Sequence, residues 1–413
     1  MTFRRRRCFA FCLALILPLL SLTACAGRKE SAVAADYGYY GMRLARRIAA
    51  EAPYRAPYST GETRTRELIR EELTRLGYSA VEEQPFVRQL EDGGQRVSAN
   101  LLVTLPGTGF YADETPAPGH DPAVLERYQG TAGTTTNMKT PLKRREVLVL
   151  AHYDDRFAPE EAALAPDYDG IHESAASTAA LLVLLRELAK TEMAYDVTVG
   201  FLGSGNDSWL GARTLLGSLD AERRARIDCV YVAERIYAGD KLYAHAGQSS
   251  LLPDSKYRMR RKLYEATDVA IERRLRAYTG MDLLTNQGGY PVSVPGFAEE
   301  HIYREFTLRE SDWRPFDEAG IPIVFFESAD YNVKSAEAVI ESRHPAFSNN
   351  GGTLTGSNYD SLRLIEPQVD TSLLRLRINA VAELLLGAIA KGSTGYLAAD
   401  QAEAEDVDAA TSR

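Results

Sequence analysis

An apolar run, Leu148-Val149-Leu150-Ala151, ends in His152-Tyr153-Asp154. An imidazole at the end of a buried strand sits on rigid backbone, and neutral imidazole is a common zinc ligand. A carboxylate two residues on, Asp154, is placed to fix the ring's tautomer through its other nitrogen. Alone, His-x-Asp is weak evidence, because a single histidine behind a strand also serves purely structural ends. Its meaning depends on what the rest of the chain places around it.

The surrounding pattern is one of strands and helices in alternation. Val147–Ala151 reads as a buried strand. Helical spacing follows over Glu173–Leu188, then a strand over Val197–Leu202, a short helix over Trp209–Leu215 and a strand over Cys229–Val232. A charged amphipathic helix spans Lys256–Tyr278, a strand Ile321–Phe326, and a long last helix Ser372–Ala390. Upstream, Met42, Leu44, Ala45, Ile48 and Ala49 recur at helical spacing, and a second amphipathic run, Thr63–Leu76, stops at Gly77. Strand-like pieces lie at Val81–Val87 and Val97–Leu105. This order predicts an α/β fold with a mixed, mostly parallel central sheet and helices on both faces. Sites in such sheets lie beyond the carboxyl ends of the strands. His152, Gly205 and Glu234 all fall there.

The ends read differently. Arg4 to Arg7 form a positive block, followed by the apolar segment Cys8–Leu20. That is the grammar of a secretory signal, and the run is shorter than the ~20 residues of a membrane span. Leu22-Thr23-Ala24-Cys25 resembles the bacterial lipobox. The resemblance implies cleavage before Cys25 and lipid on its thiol and new amino group, so membrane lipid is an expected partner. The expected location is a bacterial cell membrane, lipid-anchored on the face away from the cytoplasm. Removing residues 1–24 takes four arginines and no acids from a formal charge of −9, leaving −13. So acidic a chain is a poor nucleic-acid binder. Its cysteines reduce to Cys25 and Cys229, so an intramolecular disulfide is not expected once Cys25 is lipidated. The predicted organisation is a signal peptide over 1–24, a tether over 25–36, one domain over 37–391 with a Gly/Pro/Thr-rich insertion near 108–143, and a disordered acidic tail over 392–413.

Several segments recur in a telling order. Gly170-Ile171-His172-Glu173-Ser174-Ala175-Ala176-Ser177 opens the helix after the His152 strand. Phe201-Leu202-Gly203-Ser204-Gly205-Asn206-Asp207-Ser208-Trp209-Leu210-Gly211-Ala212 follows, then Val232-Ala233-Glu234-Arg235-Ile236, Ser311-Asp312-Trp313-Arg314-Pro315-Phe316 and Ala319-Gly320-Ile321-Pro322. Together they resemble the di-zinc aminopeptidase family, metallopeptidase family twenty-eight. That family includes bacterial leucyl and arginyl aminopeptidases, with glutaminyl cyclase and the transferrin-receptor ectodomain as relatives. The resemblance spans Tyr37 to Lys391 and implies the zinc-aminopeptidase fold.

The resemblance carries over unevenly. His152 matches the family's first zinc ligand, and Asp154 the aspartate that orients the water-activating site. Glu173 stands where the family has an aspartate bridging two zincs, and Glu234 where it has a ligand aspartate. His152, Glu173 and Glu234 would thus complete one zinc position. Each glutamate has a plainer alternative: Glu173 suits the positive end of a helix dipole, and Glu234 a solvent charge at a strand end. Gly205-Asn206 occupies the place of two adjacent glutamates, a general base and a second ligand, and neither residue does that work. Asp207, one step on, would reach the site through a local bulge. Gly356 stands where the family's last histidine is expected, ahead of Asn358-Tyr359-Asp360-Ser361-Leu362, and Trp313 where many relatives have histidine. His344 lies upstream in a loop, and His172 reads as a surface residue at a helix start. Two functions follow as expectations. One is a lipid-anchored binding protein for a peptide or protein ligand with a degenerate metal site. The other is a divergent one-zinc aminopeptidase or amide hydrolase acting on peptides, with Asp207 or another acid as base.

Overall fold

The computed structural model describes residues 36–91, 93–112, 140–141, 144–253 and 255–391. The expected signal peptide, Cys25, the acidic tail and most of the 108–143 insertion lie outside these residues. Within them, strands β1 (Glu82–Gln89), β2 (Gln95–Leu105), β3 (Glu146–His152), β4 (Asp196–Leu202), β5 (Ile227–Ala233), β6 (Lys241–His245) and β7 (Leu283–Leu284) appear in chain order. A ribbon of β8 (Gln287–Val292) and β9 (His301–Arg304) follows, and then β10 (Ile323–Ala329). Eight of them form one sheet in the order β1-β2-β4-β3-β5-β10-β6-β7. The centre is parallel: β3 pairs with β4 and β5, and β5 with β10. The pairs β1–β2, β2–β4 and β6–β10 are antiparallel, and the edge pair β6–β7 is parallel again. The predicted mixed, mostly parallel sheet is therefore present.

Strand β3 explains the sheet's depth. All seven of its residues are buried, as the apolar run Val147–Ala151 requires of a central strand covered on both faces. Its side chains alternate between two cores. Val147, Val149 and Ala151 pack with Leu44 and Ile48 of helix α1 (Gly38–Glu51), Leu181 and Leu184 of α3 (Ala176–Leu188), and Leu385 of the last helix, residues 373–391. Leu148 and Leu150 face the other way, onto Leu215 of α4 (Leu210–Ser218) and Phe316 of a short helix, Arg314–Glu318. Each such Val or Leu contributes about 1.5–3 kcal/mol by burial. Helix α2 (Thr60–Arg75) is capped by Ser59, whose side chain accepts the Glu62 amide, and ends before Gly77 as the sequence suggests.

The charged helix predicted over 256–278 breaks in two. One piece spans Lys256–Glu272 and the other Leu275–Thr279, with Arg274 left-handed at φ 52° between them. Its inner face carries a buried ionic cluster rather than apolar packing alone. Lys262 Nζ lies 2.8 Å from Asp228 Oδ2 and 3.0 Å from Glu265 Oε2, and Arg261 Nη2 lies 2.8 Å from Asp228 Oδ1. Burial works against the Asp228 charge, but Lys262 and Arg261 outweigh it and hold the carboxyl down at about 2. A depressed folded pKa means stability present above the unfolded value and lost as pH falls through the folded one. The cluster should therefore lose about 2–3 kcal/mol between pH 5 and pH 2. Urea midpoints measured across that range should fall steeply in the native protein and less steeply in Asp228→Asn. Cys229, the neighbouring residue in β5, is a buried free thiol whose pKa burial pushes up.

Candidate metal centre

Two strand ends and one loop converge. β3 delivers His152, β5 leads into Glu234, and the loop before Arg314–Glu318 delivers Asp312. These three residues are 5 %, 4 % and 0 % exposed, and one donor atom from each lies within 4.8 Å of the others. His152 Nδ1 is 2.7 Å from Asp312 Oδ2 and 3.9 Å from Glu234 Oε2. Burial alone would disfavour a charged imidazole here. The hydrogen bond and charge of Asp312, with Asp154 and Glu173 behind it, reverse that and lift the His152 pKa to about 9. His152 Nε2 is buried and has no hydrogen-bond partner.

The other carboxylates are already engaged. Asp154 accepts the Gly205 and Asn206 backbone amides at 2.6 and 2.9 Å, and the Asn206 side-chain amide at 3.3 Å. Burial still pushes Asp154 up to about 6. That same Asn206 Nδ2 donates to Glu173 Oε1 at 3.0 Å, while Tyr168 Oη donates to Glu173 Oε2 at 3.0 Å. Glu234 accepts from Arg235 Nη1 and Ser311 Oγ. Beneath Asp154, Glu62 accepts from Ser98 Oγ and the Ser204 amide, and burial together with the Asp154 charge raises it to about 7. Gly205 packs flat against the imidazole: a Cβ there would lie 2.7 Å from His152 Cβ and Cγ. Real side chains do not tolerate that approach without a shift of β3.

The expected site residues fall into place differently. His152 and Glu234 come together, and the third member is Asp312, 160 positions from His152. It is Asp312, not Asp154, that holds the imidazole. Glu173 stands beside the site, tied to Asn206 and Tyr168, and neither glutamate is a solvent charge. Asp207 gives its carboxylate to Tyr58 Oη and lies 3.6 Å from Arg88 Nε. Gly356 has Arg156 beside it, with Cδ 3.5 Å from where its Cβ would be. Trp313 is core, with its indole N–H donating to the Arg309 carbonyl at 3.1 Å. His344 caps a short 3₁₀ turn by accepting the Ala346 amide. The surface position expected for His172 is wrong. It is fully buried, accepts the Ala238 amide at 3.1 Å and lies 3.6 Å from Glu341, because the segment carrying Asp360 folds over the helix start. Asp312 stood in the segment Ser311-Asp312-Trp313, and its membership of that segment was the only signal that pointed to it.

The sequence model described as Peptidase family M28 matches residues 132–350, which is 219 of the chain's 413 residues. This chain belongs to peptidase family M28. No functionally curated protein matches it. Among solved structures, the M28 chain is similar to a glutaminyl cyclase from an Acidobacteriales bacterium at 16 % identity and a TM-score of 0.54, covering 88 % of this chain and 97 % of that one. A Zn-dependent exopeptidase from Parabacteroides distasonis is similar at 14 % identity and a TM-score of 0.53, covering 87 % and 99 %. A zinc aminopeptidase from Bacillus subtilis is similar at 13 % and 0.51, covering 86 % and 94 %. At these identities the likeness establishes the zinc-aminopeptidase fold. The residues present suit a zinc ion chemically. Imidazole and carboxylates are zinc's usual donors, and His152 Nδ1, Asp312 and Glu234 converge closely enough for one ion to stand between them.

Proposed function

We propose that this protein is a lipid-anchored M28 member that binds a peptide or protein ligand outside the cytoplasm and does not carry out two-metal hydrolysis. One observation carries the reading. Three acids at the centre accept from the protein's own donors: Asn206 on Asp154 and Glu173, Tyr168 on Glu173, Arg235 and Ser311 on Glu234. An amide N–H₂ between two carboxylates gives each a hydrogen bond of the protein's own and holds them together without a second cation. The place of the general base is a glycine with no room for a side chain. A general base alone contributes typically 10²–10⁴-fold, so its loss removes a large share of any hydrolytic rate.

The convergence of His152 Nδ1, Glu234 and Asp312 favours a second reading, a one-zinc hydrolase. His152, Glu234 and Asp312, with Glu173 beside them, would hold the ion, which when bound supplies Lewis-acid polarisation of a carbonyl. Asp207 would then have to leave Tyr58 and Arg88 to serve as base. Assay of the purified chain against aminoacyl reporters, with zinc supplied, separates the two. The expected result is release no faster than from His152→Ala. Clear turnover that disappears in His152→Ala would overturn the binding-protein reading in favour of the hydrolase.

A further inference from the structure

Arg235 follows Glu234 and turns straight back onto it. Its backbone is left-handed at φ 51°, a conformation that side-chain-bearing residues seldom adopt. The residue is only 7 % exposed. One guanidinium nitrogen, Nη1, donates to Glu234 Oε1. Nε forms an ion pair with Glu327 Oε2 at 3.7 Å, beyond hydrogen-bond reach, and neither Nε nor Nη2 has a hydrogen-bond partner. The group lies over the Phe325 ring, 5.7 Å from its centroid, and burial and then the Arg309 charge push its pKa down. A buried, incompletely bonded cation on strained backbone is unfavourable in isolation. What it gains here is the carboxylate that the metal centre also needs.

We infer that Arg235 is a resident cation of the M28 centre, and that it sets how tightly Glu234 is available to a divalent metal. This rests on His152, Glu234 and Asp312 being the metal centre of the reading above. Glu234 has one oxygen on Arg235 and the other towards Ser311 and His152. A metal on the second oxygen would face a guanidinium across a single carboxylate, in surroundings where water screens little. The two cations therefore compete. With Arg235 in place, the site holds zinc weakly and stays in its internally bonded state. Without it, Glu234 keeps a buried negative charge that a metal can neutralise.

The test is calorimetric zinc titration of the full chain, freed of metal beforehand, as native protein, Arg235→Met, Arg235→Lys and the double variant Arg235→Met with His152→Ala. Arg235→Met should bind one zinc with an affinity roughly tenfold or more above native, the scale on which neighbouring groups tune metal sites. Arg235→Lys keeps the cation and should stay near native, and the double variant should lose the gain. If Arg235→Met does not fold, Arg235→Gln carries the same expectation and the same refutation. A folded neutral variant that binds zinc no more tightly than native overturns the inference, as does an equal gain in Arg235→Lys. Hydrolysis of reporters by the native chain would instead defeat the binding-protein reading and leave the competition at Glu234 untouched.

Discussion

Replacing Arg55 by methionine should lower the unfolding free energy by about 3–5 kcal/mol, the usual result of breaking a buried ion pair from one side. Arg55 is completely buried, 100 residues from its partner Asp155 in the chain. Its Nη2 lies 3.0 Å from Asp155 Oδ2, and its backbone amide donates to Asp155 Oδ1 at 2.8 Å. The same guanidinium donates to the carbonyls of Ala52, Asp169 and Gly170 and to Ser174 Oγ. Methionine keeps much of the volume and supplies none of those donors. It would leave the Asp155 charge without its counter-ion and take the side-chain donor from three carbonyls in the interior. The damage would also reach the M28 centre. Gly170, left-handed at φ 62°, passes so close that a Cβ would lie 2.3 Å from Arg55 Nη2, and the π-helical turn Ile171–Ala175 that places Glu173 starts directly after it. Urea unfolding measures the loss. The double variant with Asp155→Asn should recover part of it, because no unpaired charge remains. A loss under about 1 kcal/mol for Arg55→Met, the range of an exposed pair, would mean that the pair is not the buried clamp described.

What the sequence made legible was whatever repeats along it. The unbroken apolar run of β3, the helical spacing through α1 and α3 and the alternation of strands and helices led to the sheet, and the sheet led to His152 and Glu234 at strand ends. Asp312 and Arg235 were not legible in the same way. Asp312 reaches His152 from a loop 160 positions away, and no local pattern encodes the direction of that side chain. Arg235 follows a strand as any solvent arginine might, and only its left-handed backbone turns it inward. His172 misled for a related reason. A helix start is normally exposed, but here Asp360 accepts the His172 and Glu173 amides at 2.7 and 3.0 Å, so another loop covers that end. The break at Arg274 carries no glycine or proline to announce it. In each case a tertiary contact decided what local chemistry left open.

Replacing Asn206 by glutamate should make folding depend on metal or on protons. Asn206 now donates to Asp154 at 3.3 Å and to Glu173 at 3.0 Å through one amide group. Asn206→Glu removes that donor and sets a third carboxylate against two that are already buried. Position 206 is itself exposed, so the new carboxylate can turn towards water, and at neutral pH the cost should be about 1–3 kcal/mol, that of leaving buried Asp154 and Glu173 without their shared donor. The sign with pH follows from the crowding. Burial already raises Asp154 to about 6, and an added carboxylate raises its neighbours further. A carboxyl with a folded pKa above its unfolded value binds its proton more readily when folded, so the variant should regain stability as pH falls from 7 towards 5. Zinc should restore stability by the other route, because a cation that binds only the folded state shifts the melting temperature upward with its concentration. The native chain, with Asn206 and Arg235 supplying the donors, should move far less under either treatment. Melting curves at pH 7 and pH 5, with and without zinc, decide it. An Asn206→Glu protein as stable as native at pH 7 without metal would mean that Asp154 and Glu173 do not need the donor that Asn206 places between them. The internally bonded centre, on which the binding-protein reading depends, would then fall.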